Sequence, residues 1–76
     1  MAVRELVIFR EYLQSIPDEL LESVSEDYVW LCGMRFEEGR RAEFVNRREC
    51  CREECARRGA PHLYRIAESV IAPWAA

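Results

Sequence analysis

Three of the chain's four cysteines and its single histidine stand together in RRECCREECARRGAPH, residues 47–62. Thiols and an imidazole can bind zinc, form disulfides or act as nucleophile and base, so their spacing decides which chemistry is on offer. On a helix, at about 100° per residue, Phe44, Cys51 and Cys55 fall within roughly 40° of one another, and Cys50 points about 100° away. Cys51 and Cys55 can therefore present two thiolates from one face. His62, past Gly59, would add a third ligand, and Cys32 a fourth if its segment folds back. Three sulfurs and one nitrogen suit zinc. The spacing does not, because structural zinc sites usually place a Cys-x-x-Cys knuckle in a turn. Adjacent Cys50 and Cys51 cannot easily bridge on a helix. One histidine with no triad spacing supports no nucleophile–base pair. The expectation is that Cys32, Cys51 and Cys55 fill space in the core, as free cysteines commonly do. A zinc site built from Cys32, Cys51, Cys55 and His62 is the alternative.

All eleven basic residues are arginine. Arg40, Arg41, Arg47, Arg48, Arg52, Arg57 and Arg58 could form a phosphate-binding face. Glu43, Glu49, Glu53 and Glu54 are interleaved with them, and Glu43 with Arg47 and Glu53 with Arg57 have the favourable i, i+4 order. That pattern describes a self-paired helix, or one that meets an acidic partner. A nucleic-acid face is more basic and less compensated. The net charge of −3 hides an asymmetry: residues 1–38 carry −6 and residues 39–58 carry +3. Segments of opposite sign are expected to pack on each other or on a second copy. The paired acids Asp18/Glu19, Glu26/Asp27 and Glu37/Glu38 fall in polar positions, whereas acid–base catalysis needs perturbed carboxyls in a cleft.

The elements that must position these residues are helical. Leu6, Phe9, Leu13 and Ile16 make one stripe, which predicts a first helix. Pro17 with Asp18 and Glu19 suits a helix start and opens a short second helix through Val24. Ser25 is the next candidate cap. A long central helix is expected over about 26–58, bent or broken near Gly33 or Gly39. Gly59 after two arginines, then Pro61, marks a stop and a new start. Leu63, Ile66, Ala67, Val70 and Trp74 form the last stripe, with Pro73 limiting its regular helix.

The fold expected is all-α, a small bundle of three or four helices in one domain, residues 1–76. A chain near this size buries only about 60% of its unfolded surface. One long helix and three short ones then leave apolar side chains uncovered. Trp30 shares a face with Met34, and Cys32 shares another with Phe36. The function expected is a protein–protein interaction module without catalysis or cofactor, a homodimer or an adaptor. Its surface is expected at Trp30, Phe36, Arg47, Arg48, Arg52 and Trp74. A nucleic-acid accessory factor using the arginine-rich helix is the further alternative. The apolar run Leu6–Phe9 is too short for a signal peptide or a membrane span, which points to the cytoplasm.

Overall fold

The computed structural model describes residues 3–34 and 38–71. They form four helices: α1 (Val3–Ser15), α2 (Asp18–Gly33), α3 (Glu38–Arg57) and α4 (Pro61–Ile71). The all-α bundle expected from the apolar spacing is present. α3 touches each of the other three helices, and α2 also packs along α4. The molecule measures 33 × 32 × 15 Å. Its thinnest dimension is what two helices stacked 8–10 Å apart would give.

The stripe on α1 behaves as its spacing dictates. Phe9, Leu13 and Ile16 are buried and Leu6 is half-buried. Pro17 is extended and stands at the N-cap of α2, one position earlier than expected. Its carbonyl accepts the amides of Leu20 and Leu21 at 3.1 and 3.0 Å. Asp18 and Glu19 occupy the first turn, beside the positive end of the helix.

The central segment departs from the expected division. Ser25 caps nothing. It lies inside α2, fully buried, and its hydroxyl donates to the Leu21 carbonyl at 2.7 Å. A hydroxyl satisfied by the preceding turn can stay within a helix. The short helix expected after Pro17 and the first part of the expected 26–58 helix are therefore one element. α2 ends at Gly33, with Met34 extended, and Gly39 lies inside α3. Glu38 lies in the first turn of α3, where its charge is favoured.

At the other end of α3, Gly59 adopts φ +71°. Its amide reaches the Ala56 carbonyl at 3.0 Å, and the Ala60 amide reaches that of Cys55 at 2.9 Å. This pair of bonds is the Schellman closure, which calls for a left-handed residue at this position. Pro61 then opens α4.

Arg58 ties three helix ends together. Its side chain is only 15% exposed. One terminal nitrogen donates to the carbonyls of Leu13 and Ile16, at the end of α1. The other meets Asp18 at the start of α2, at 2.8 Å. Nε reaches Glu54 of α3 at 2.7 Å. Helix-end carbonyls have no intrahelical partner and carry the negative end of the dipole, so a cation there is doubly favoured. Arg58→Ala is expected to lower stability by about 3 kcal/mol, since a buried pair loses one member. Arg58→Lys should recover only part, because an ammonium cannot span the planar fork of partners. Urea denaturation followed by circular dichroism measures both.

Candidate interaction surface and the buried thiols

The four cysteines are free and buried. Cys51 and Cys55 are fully enclosed, together with Leu13, Leu21 and Ser25. Cys50, expected to stand apart from the apolar stripe, is also buried. α3 is flanked by helices on more than one side, so a residue turned away from Cys51 still points inward. Cys50 forms part of a cleft of about 220 Å³ with Arg10 and Gln14 of α1 and Glu53, Glu54 and Arg57 of α3.

Burial sets the state of the thiols. It pushes Cys51 up to about 12, from an ordinary value of 9.0. Burial likewise raises Cys55 and Cys32, against the pull of nearby arginines. A hydrogen bond from the Ser25 hydroxyl would oppose the rise at Cys51 and Cys55. That hydroxyl has one hydrogen, and it is engaged with the Leu21 carbonyl. Towards the sulfurs its oxygen is an acceptor, which suits a protonated thiol. These three groups are thiols at neutral pH, neither nucleophiles nor ready metal ligands. His62 is exposed in the first turn of α4. The set Cys32, Cys51, Cys55 and His62 is not brought together as a site: among the described residues, no three His, Cys, Asp or Glu side chains are placed to hold a metal ion.

Glu54 is the unexpected feature of the same helix. It is buried, 6% exposed, yet ionised. Hydrogen bonds from Arg57 chiefly, and from Arg58, outweigh desolvation and hold it down at about 2. Arg57 donates to it through Nε at 2.7 Å and again through a terminal nitrogen. The expected Glu53–Arg57 pair gives way, because the carboxylate out of water claims both guanidiniums. Glu53 lies instead 3.7 Å from Arg10 of α1.

Of the other arginines expected on a phosphate-binding face, Arg47, Arg48 and Arg52 turn to partners in their own chain, whereas Arg40 and Arg41 are exposed and in no ion pair among the described residues. Arg47 meets Glu43 at 3.4 Å, as expected. It also donates to the Tyr28 hydroxyl at 3.2 Å and lies 5.1 Å from the Phe9 ring centre. Phe9 and Tyr28 stack edge to face at 5.4 Å. Arg47 is thus a strut between α1, α2 and α3 more than a free contact. Arg52 pairs with Glu49 at 2.7 Å, and Arg48 approaches Glu49 at 3.8 Å. Phe36 and Trp74, also expected on the surface, lie outside the described residues.

Exposed apolar groups fall on three faces. On α2, Leu20, Ser23, Asp27 and Trp30 are all exposed at alternating steps of three and four, and the exposed Met34 follows at the extended C-cap. That is the spacing of a coiled-coil seam. Trp30 is 45% exposed, and Met34, expected on its face, stands past the helix end with an extended backbone and is 39% exposed. Asp27, Tyr28, Trp30 and Leu31 line a shallow recess of about 260 Å³. Among the described residues, Asp18 is the one acid of α2 in an ion pair; Glu19, Glu22, Glu26 and Asp27 stand uncompensated. On α1, Val7, Ile8 and Tyr12 face out. On α4, Ile66 and Val70 are exposed although their spacing matched the buried Leu63 and Ala67. Tyr64 takes the inward place instead, and burial pushes its hydroxyl up to about 12. An apolar arc wider than the neighbouring helix can cover was the signal in the sequence for these two residues.

No protein-family model matches the chain, and no curated protein or solved structure matches it. Among the described residues, no helix is long and apolar enough to cross a membrane.

Two measurements check the buried groups. Glu54 is ionised at about 2 in the fold, against 4.5 when free, so its contribution is complete above pH 4.5 and is lost as pH falls towards 2. Arg57 is largely exposed and its share is screened, so the loss is on the order of 2 kcal/mol. Urea titrations across this pH range should show that slope in the native chain, and a flatter one in Glu54→Gln. For the thiols, iodoacetamide at pH 8 should spare Cys51 and Cys55 in the folded chain and alkylate both in urea, as read by mass spectrometry.

Proposed function

We propose that this chain is a helical module, without catalysis of its own, that binds protein through its outward apolar helix faces. The observation that carries the reading is the α2 seam, with Leu20 and Trp30 exposed along one helix, Met34 exposed at its C-cap, and uncompensated acids beside them. Apolar side chains rimmed by charge are the surface composition of a contact with another protein. The acids favour a partner face that carries basic groups, or a second copy that supplies them.

The buried chemistry supports the same reading. The thiols of Cys32, Cys51 and Cys55 are held protonated, and Glu54 is occupied by two guanidiniums. None of these is poised to give or take a proton near neutral pH. The pairing of Arg47, Arg48 and Arg52 with carboxylates argues against a phosphate-binding role for that stretch of α3. Four free thiols fit a reducing compartment such as the cytoplasm.

The test is loss of a bound protein on a surface change that leaves the fold intact. Tagged chain purified from its own cells is expected to bring down a partner, and Leu20→Ser with Trp30→Ser should remove that partner with the circular dichroism spectrum unchanged. A chain that captures nothing and does not self-associate would overturn the reading. So would a partner retained equally by the double variant and by variants of the other apolar faces.

A further inference from the structure

The outward face of α1 has the charge order that pairing with its own copy requires. Ile8 is 56% exposed, the most of any large apolar residue described. Val7 and Tyr12 flank it, each 45% exposed. Arg4 and Glu11 lie seven residues apart on this face, one before and one after the apolar pair. Seven residues are close to two helical turns, so the two charges stand within about 20° of the same line along the helix. Among the described residues neither has an ion-pair partner.

We propose that α1 packs antiparallel against α1 of a second copy, about a two-fold axis passing between Val7 and Ile8. This rests on the reading of the chain as a protein-binding module and names the partner of one face. In that register Arg4 lies opposite Glu11 of the second copy, and Glu11 opposite its Arg4. Val7 meets Ile8 across the axis, and Ile8 meets Val7. Every contact occurs twice, as a two-fold interface demands. A parallel arrangement sets arginine against arginine and glutamate against glutamate, so the charges select the antiparallel one.

The other apolar faces lack this self-complementarity. A two-fold centred on the α2 seam would set Asp27 against Asp27, on a helix with five acids and no base. Among the described residues, the α4 face offers only Ile66 and Val70 as exposed large apolar groups. α1, by contrast, packs on the bundle chiefly through α3, which leaves its outer half open. A groove of about 460 Å³ between Glu5, Ile8, Phe9, Tyr12 and Arg47 extends the apolar surface towards α3. Helix α1 is about 20 Å long, so the paired faces fall short of the ~1,200–2,000 Å² of a standard interface. The dimer is one that dissociates on dilution.

Charge reversal tests the geometry, because Arg4 and Glu11 are exposed and their substitution leaves the core alone. Sedimentation equilibrium of the full chain, from micromolar up to roughly 1 mM, should show mass rising from one chain towards two. Arg4→Glu and Glu11→Arg should each weaken association by about tenfold or more, since like charges then face each other twice. An equimolar mixture of the two variants should associate again as a heterodimer, because every charged contact is once more between opposites. A wild-type chain that stays monomeric throughout overturns the pairing, and leaves the protein-binding reading to capture through Leu20 and Trp30. A dimer indifferent to both reversals places the interface elsewhere and also overturns it.

Discussion

A carboxylate taken out of water must be surrounded by donors or lose its charge. Glu54 keeps its charge, and the fold is arranged around how it does so. Arg57 approaches from the exposed side and Arg58 from within. Arg58 has donors left over, and it spends them on the carbonyls that end α1 and the acid that begins α2. One planar group thereby fixes the angle at which three helices meet. Nothing apolar could replace it, because the carbonyls of Leu13 and Ile16 would be left without partners.

The space beside this clamp is filled by small side chains. Beyond Val45, α3 contributes no inward apolar residue larger than cysteine. Interaxial distance follows side-chain size, so neighbouring helices can approach a surface of thiols closely. The cost is thinness. In a body 15 Å across its narrowest dimension, each helix keeps an outward side. The larger apolar residues of α1, α2 and α4 outnumber the inward positions, and the surplus is what the surface displays. The exposed Trp30, Ile8 and Val70 thus follow from the same packing that buries Cys51.

Much of this was legible locally. The steps between Phe9, Leu13 and Ile16 and the Gly59–Pro61 boundary needed only neighbours in the chain. The division of the middle was not legible, because Ser25 is equally able to cap a helix or to satisfy itself on Leu21, and only its burial decides. The inward turn of Cys50 depended on how many helices surround α3, which periodicity along α3 does not encode. Glu54 and Arg58 looked like two more charges in a charged run. Their importance comes from carbonyls more than forty residues away, and no local pattern announces a contact of that span. The same limit hid Arg47, whose partners on α1 and α2 arrive from distant parts of the chain.

The span of the Arg58 contacts also carries a consequence for the order of events at the ribosome. Synthesis proceeds from the amino end, so the hinge between the first two helices is made long before the guanidinium that locks it. Until that residue emerges, the nascent acidic half has an apolar side with nothing to rest on. The basic third helix is the surface it awaits, and only when its last turn appears can the earlier helices settle. Closure of such distant contacts is intrinsically slower than local winding, so α1 and α2 lock together only once the last part of α3 has been made, and α4, which packs along α2, follows it.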